Sequence, residues 1–333
     1  MTTRLTPAVQ SMPRYPVLDG WRGISILCVL AAHMLPLGPK SWQLNELVAP
    51  LGMCLFFTLS GFLITNTLIY RSNVRDFLIR RFCRILPLAW AFMLVALPLA
   101  SAAPTAYAAH FLFYANLPPF WLTSLTAHLW SLCLEMYFYL GIALIFAALG
   151  QRGLLLLPSL CLAVTAGRIW QGEPFSIVTY YRIDEILSGA CLALVLVGRL
   201  GEQLPRFFGW VNPYLLLGLL LLACHPALIP ANYLRPYLAA AVVGSTLYQS
   251  EARMLRWLKT RALIYIAGIS YALYVIHPLT LYGWLGSGET MIKYAKRPLS
   301  FLLTFALAHL STFYYEKPWI ALGKRWTSRA NTI

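Results

Sequence analysis

The stretch "LDGWRGISILCVLAAHML", residues 18–35, reads as the opening of a membrane helix, yet it carries Asp19 and Arg22 at its start and His33 near its end. Eleven positions separate Arg22 from His33. At about 100° per residue that is three turns and a small remainder, so both side chains share one face, about 16 Å apart along the axis. Ionisable groups inside a span are costly and turn toward a cavity or the bundle interior. An apolar helix with one ionisable line along it therefore points to an all-helical membrane bundle with a polar interior.

The composition agrees. Of 333 residues, 59% are apolar and 11% charged, where a soluble domain carries about 25% charged residues; mean hydropathy is +0.67. Apolar runs recur from residue 23 to 322, and no polar stretch is long enough for a second fold. The expectation is one integral-membrane domain over residues 1–333, with no appended soluble domain. The net charge of +15 would suggest nucleic acid in a soluble protein. In a membrane protein it is explained by basic residues holding loops on the cytoplasmic side, so no nucleic-acid partner is expected. The seven cysteines are scattered and form no C-x-x-C, and no His and acid have H-E-x-x-H spacing, so neither a disulfide framework nor a metal site is expected. Arg4 and Arg14 before an apolar run mimic a signal peptide. No small-x-small cleavage site follows, which makes that run an uncleaved first span.

A span needs about 20 mostly apolar residues. Candidates are 23–38, 47–69, 85–103, 129–149, 153–168, 184–198, 210–229, 234–249, 263–285 and 299–321, while 105–117 is apolar but short. If 105–117 does not cross and the N-terminus is inside, 18 of the 26 Lys and Arg fall on the inner side. If it does cross, the cluster Arg253 to Arg261 faces outward, against the positive-inside rule. The predicted fold is an all-α polytopic transmembrane bundle of ten spans, both termini cytoplasmic, with 105–117 re-entrant or interfacial and packed against protein.

The polar line in 18–35 has counterparts. His128, Ser131, Glu135 and Tyr139 fall at i, i+3, i+7 and i+11, one face of the span from 129. Ser270, Tyr274 and His277 share a face of the span 263–285. One common polar cavity explains three such stripes better than three unrelated buried pairs do. Arg81 and Arg84 at i, i+3, and Arg80 with Arg84 at i, i+4, stack at the cytoplasmic start of the third span. Besides anchoring, guanidinium forks there suit the oxygens of a phosphate or diphosphate. His110, His225 and His309 lack periodic polar companions and read as structural.

Taken together, these blocks resemble the membrane acyltransferase family 3, integral-membrane O-acyltransferases of bacterial surface glycans. "LDGWRGISILCVLAAH" is similar to the family's D-G-x-R-G opening with Arg-x10-His. In family order follow "GMCLFFTLSGFLIT" (52–65), "RRFCRILP" (80–87, with R-x-x-R), "HLWSLCLEMYFYL" (128–140), "YRIDEILSGA" (181–190), "ISYALYVIHPL" (269–279) and "YYEKPWI" (314–320). Each block is weak alone, whereas the ordered set is specific and spans nearly the whole chain. One departure is Met136, where the family usually has a second acid after Glu135.

The resemblance implies a multi-pass protein of the bacterial inner membrane, an acyl-CoA donor (acetyl-CoA by preference) reached from the cytosol, and a glycan or lipid-linked saccharide acceptor across the bilayer. On that reading Arg22, Arg81 and Arg84 hold the CoA phosphates and the pantetheine arm carries the thioester up to His33. His33 is the catalytic group, as general base or through a covalent acyl-histidine. Glu135 orients an imidazole, either that of His33 or that of His277. Asp19, Ser131, Tyr139 and His277 support. The competing readings are acylation of a small molecule such as a macrolide, and a transporter or flippase of lipid-linked sugars, although no inverted repeat of the kind many transporters carry is visible.

Overall fold

The computed structural model describes residues 15–329. Arg4 and Arg14 of the expected cytoplasmic N-terminus lie outside the described residues.

Among the described residues every regular element is helical. The first three helices are long: α1 (Pro16–Met34), α2 (Leu44–Tyr70) and α3 (Val74–Leu99). Pro16 opens α1 at a position whose missing N–H costs nothing. Asn73 caps α3 by accepting the Asp76 backbone N–H at 3.0 Å. Then come α4 (Pro104–Phe111), α5 (Trp130–Gly153), α6 (Leu157–Gln171), α7 (Thr179–Arg182) and α8 (Asp184–Leu196). The remainder is α9 (Gln203–Trp210), α10 (Pro213–Cys224), α11 (Ile229–Asn232), α12 (Arg235–Tyr248), α13 (Arg261–Ile276), α14 (Thr290–Ala295), α15 (Arg297–Leu310), a π-helical turn (Ser311–Glu316) and α16 (Lys317–Arg329).

Each of the ten predicted spans contains a helix, but not all are long. Pro16–Met34, Leu44–Tyr70, Val74–Leu99 and the stretch Ala127–Gln171 are long and apolar enough to cross a membrane. A fifth crossing results if α9 and α10, bent by 97°, count as one. Elsewhere hydropathy ran past the helix ends. The predicted span 263–285 stops as a helix at Ile276, two residues before Pro278, which has no N–H to donate to the carbonyl four residues back. Within Ala127–Gln171 the chain breaks at Gly150, with φ of 60° and ψ of −150°, between the two spans read from sequence there. Segment 105–117 contains only the eight-residue α4, about 12 Å of helix against a hydrocarbon core of about 30 Å. It is tied to protein. His110 Nδ1–H donates to the Ala106 carbonyl at 2.7 Å, its Nε2 accepts from Thr126 Oγ1 at 2.8 Å, and Asn116 Nδ2 donates to Ile177 O at 2.8 Å and Thr179 Oγ1 at 2.9 Å.

The outward faces are leucine-rich: Leu94, Leu144, Leu162, Leu215 and Leu302 are all exposed. Such a belt suits lipid rather than water as solvent. The interior is held by close helix crossings. Where α2 meets α8, a Cβ on Gly61 would lie 1.8 Å from the Ile186 carbonyl oxygen, and one on Gly189 would lie 1.9 Å from that of Thr58. Two glycines, one from each helix, let the backbones touch. This crossing and the packing of α1 between α2 and α13 bring the polar stripes to face one another.

Candidate active site

The stripes converge at both ends of the bundle interior. At one end His33, the penultimate residue of α1, meets His277, just past α13. Their Nδ1 and Nε2 atoms are 2.9 Å apart, and the rings stack 5.1 Å between centroids at 12°. The network assigns the protons. His277 Nδ1 lies 2.7 Å from the Tyr274 carbonyl, and a carbonyl can only accept, so Nδ1 of His277 carries hydrogen. In the neutral ring Nε2 then accepts, and His33 Nδ1–H donates to it. The Nε2 lone pair of His33 is left without a protein partner among the described residues. It belongs to a side chain exposed to a cavity of about 890 Å³, whose lining includes His33, His128, His277, Tyr274, Trp130 and Arg182. An unprotonated, solvent-reachable imidazole nitrogen held by a second imidazole is the arrangement a general base or nucleophile needs.

His128 completes the group. Its ring packs edge-on to His277 at 5.3 Å and to Phe92 at 5.2 Å. Its carbonyl accepts from Tyr274 Oη, which also lies 2.6 Å from Ser131 Oγ. Ser131 thus sits one residue contact away from His277 rather than on it. Although three imidazoles meet here, no group of three or more His, Cys, Asp or Glu side chains among the described residues is placed to hold a metal ion.

At the other end Arg71, Arg80, Arg81, Arg84 and Lys324 line a cavity of about 650 Å³, with Asp76 the acid among its lining residues. The Arg81 guanidinium lies 5.8 Å from the ring centroid of Phe77 and 5.9 Å from that of Tyr139, which holds the fork in place. Arg80 Nε donates to Thr327 Oγ1 at 2.8 Å, so α16 forms one wall. Arg22 is not among the lining residues. It lies within electrostatic range of Arg84, Asp19, Arg81 and Glu135.

Glu135 makes neither contact considered from sequence. Its Oε1 accepts from Tyr139 Oη at 2.6 Å, one helical turn on, and no hydrogen bond joins it to His33 or His277. Its partner Tyr139 faces Arg81. The α5 stripe is therefore a seam: Ser131 belongs to the histidine end, Tyr139 to the arginine end, and Glu135 lies between. Eight residues separate the two ends of that seam, about 12 Å. Helix α13 runs the same way, with Tyr271 Oη donating to the Ile85 carbonyl at 2.6 Å beside Arg84 and Tyr274 and His277 at the far end.

Sequence reading passed over Arg182, Lys324 and the ring role of His128. Arg168, Arg182 and Arg235 are all buried. Arg168 pairs with Asp184 at 2.5 Å, and Arg182 and Arg235 both approach Glu185, at 3.0 and 2.7 Å. The signal was present: Arg182, Asp184 and Glu185 stand together at the start of the apolar segment 184–198, where each ionisable residue marks a candidate site.

A family model of the acyltransferase domain matches residues 15–317. Over 229 residues the chain is 29% identical to the Listeria monocytogenes protein named peptidoglycan O-acetyltransferase OatA, covering 57% of this chain and 36% of that one. Over 386 aligned positions it is 26% identical to the Bacillus subtilis protein named "Putative peptidoglycan O-acetyltransferase YrhL", covering 94% of this chain and 56% of that one. The chain thus spans between about a third and a little over half of the length of these relatives. No solved structure matches it. With matching over nearly its full length, and with the ordered blocks that carried the resemblance all lying in that match or at its edge, the chain belongs to the membrane acyltransferase family 3.

Proposed function

We propose that this protein is an O-acyltransferase that takes an acyl group, acetyl by preference, from cytosolic acyl-CoA and places it on a hydroxyl of a cell-surface or exported glycan. The observation that carries the reading is the pairing of two cavities at opposite ends of one polar seam: a cluster of five cations at one, an imidazole with a free Nε2 at the other. The cationic cavity suits the phosphates of a nucleotide-bearing donor. The thioester end of an arm that spans the α5 seam, about 12 Å from Tyr139 to Ser131, would reach the histidine end. The names of the two relatives favour a saccharide acceptor. The ten crossings, the placement of both termini in the cytosol and the bacterial inner membrane belong to the same proposal, supported by the concentration of basic residues beside the arginine cavity.

In chemical terms, His33 Nε2 takes the proton of the acceptor hydroxyl as its oxygen attacks the thioester carbonyl. The carbon–sulfur bond breaks and the proton passes to the departing thiolate. In the two-stage variant Nε2 itself attacks and holds the acyl group before the hydroxyl arrives. His277 serves both by holding His33 in the tautomer with Nε2 unprotonated.

The direct test supplies labelled acetyl-CoA to membranes containing the protein and follows label into the glycan fraction. Transfer that depends on the protein supports the reading, and absence of label transfer from any acyl-CoA overturns the donor assignment. In the same assay Arg81→Ala and Arg84→Ala are expected each to raise the donor KM about 10- to 100-fold, because a charge-assisted hydrogen bond is worth roughly 1.5–3 kcal/mol. Lysine at either position should recover only part of this, since it lacks the planar fork. An unchanged donor KM in the double variant would remove the arginine cavity from donor binding.

A further inference from the structure

The histidine cavity contains a cation that proton abstraction and acyl transfer do not require. Arg182, the last residue of α7, lines this cavity although only 5% of its surface is exposed. Its guanidinium lies 5.1 Å from the ring centroid of Trp130, and Nη1 donates to the Ser176 carbonyl at 3.1 Å. Its nearest carboxylate is shared. Glu185 Oε1 is 3.0 Å from Arg182 Nε but accepts the Nε–H of Arg235 at 2.7 Å, and Arg182 Nε makes no hydrogen bond. The neighbouring Asp184 is taken by Arg168 at 2.5 Å and by Thr165 Oγ1 at 3.0 Å.

The buried group therefore contains three arginines and two carboxylates, leaving one positive charge uncompensated. A desolvated charge favours a counter-charge wherever one can reach it. Arg168 and Arg235 are fully enclosed, so Arg182 is the member through which the excess is presented to the cavity. Glu46, the acid among the cavity's lining residues, is exposed at the start of α2, where solvent screens it.

We infer that Arg182 is an anion subsite of the acceptor cavity: it takes a carboxylate or phosphate carried by the acceptor saccharide while a hydroxyl of that saccharide is presented to His33. The inference rests on the proposed reading of this cavity as the acceptor site. A guanidinium fork suits either anion, and the largely apolar lining strengthens the pairing. Trp130, already stacked on Arg182, offers an aromatic face to the sugar ring beside it.

The test measures binding rather than turnover. Methyl glucoside, methyl glucuronide and methyl glucoside 6-phosphate are titrated into the purified full-length protein in detergent, as wild type, Arg182→Gln and Arg182→Lys. The wild type is expected to bind at least one anionic sugar about tenfold or more tightly than the neutral one. Arg182→Gln should bring the three affinities together, and Arg182→Lys should keep part of the difference. The carboxylate and phosphate arms show which anion the fork selects. Equal affinities in the wild type, or an undiminished preference in Arg182→Gln, overturn the inference. If Arg182→Gln does not accumulate, the wild-type comparison decides. An anion preference without acyl transfer would overturn the proposed function and leave the subsite standing, while transfer with no preference does the reverse.

Discussion

Replacing His33 by alanine is expected to reduce acyl transfer by about 10²- to 10⁴-fold, the usual worth of a positioned general base, with the donor KM nearly unchanged. The reason is the separation of tasks along the bundle: the cations that would hold the donor line one cavity and the imidazole lines another, at opposite ends of the polar seam, and no hydrogen bond links the two groups. His277 is expected to behave differently, because it acts through His33. Its Nε2 accepts the His33 Nδ1–H at 2.9 Å, and this leaves the working nitrogen unprotonated. His277→Leu removes that acceptor and should lower the rate by an intermediate factor. His277→Gln restores an acceptor oxygen near the lost Nε2 and should recover part of the activity. Labelled acetyl transfer at equal protein abundance measures all three. A His33→Ala protein that transfers at the wild-type rate would remove the histidine pair from the mechanism. A His277→Gln protein as inactive as His33→Ala would show that His277 contacts the reacting groups itself.

Gly61→Val or Gly189→Val is expected to abolish the folded protein. A Cβ at either position would stand 1.8 or 1.9 Å from a main-chain carbonyl of the opposing helix, and no rotamer relieves contact with a backbone atom. The helices must separate, and with them the long α2 surface that packs on both α1 and α8. Ordinary overpacking costs about 1–3 kcal/mol, and parting two backbones exceeds that. Gly141 and Gly268 provide the control, since a Cβ there meets nothing within 4 Å. Alanine at these helical positions should be neutral or stabilising by up to about 1 kcal/mol. Size-exclusion profiles and thermal midpoints in detergent report both sets. A monodisperse Gly189→Val protein with a wild-type midpoint would show that the crossing is looser than its geometry.

Much of this was legible in the linear chain because membrane helices obey two simple periodicities. Hydropathy located a helix in each of ten segments, and the 3.6-residue repeat placed Arg22 with His33, Ser131 with Glu135 and Tyr139, and Tyr274 with His277 on common faces. The brevity of segment 105–117 also followed from length alone. Where helices end was less legible. Apolar residues continue past Ile276 into a loop, and hydropathy does not distinguish an apolar helix from apolar irregular chain that is buried in protein.

The sequence by itself determined the solvent, the all-helical class and the polar stripes, since these depend on composition and on the geometry of one helix at a time. Only the tertiary structure decided which stripes meet. It paired His33 with His277 across 244 positions, and it turned Glu135 to Tyr139 instead of to an imidazole. It also left Arg22 off the lining of the arginine cavity and folded Arg182 into the histidine cavity beside a carboxylate that Arg235 already holds. Those outcomes follow from how α1, α5, α8 and α13 rotate and approach. That packing is set by glycines and close contacts between distant segments, and no local repeat in the chain encodes the distance from one helix to the next.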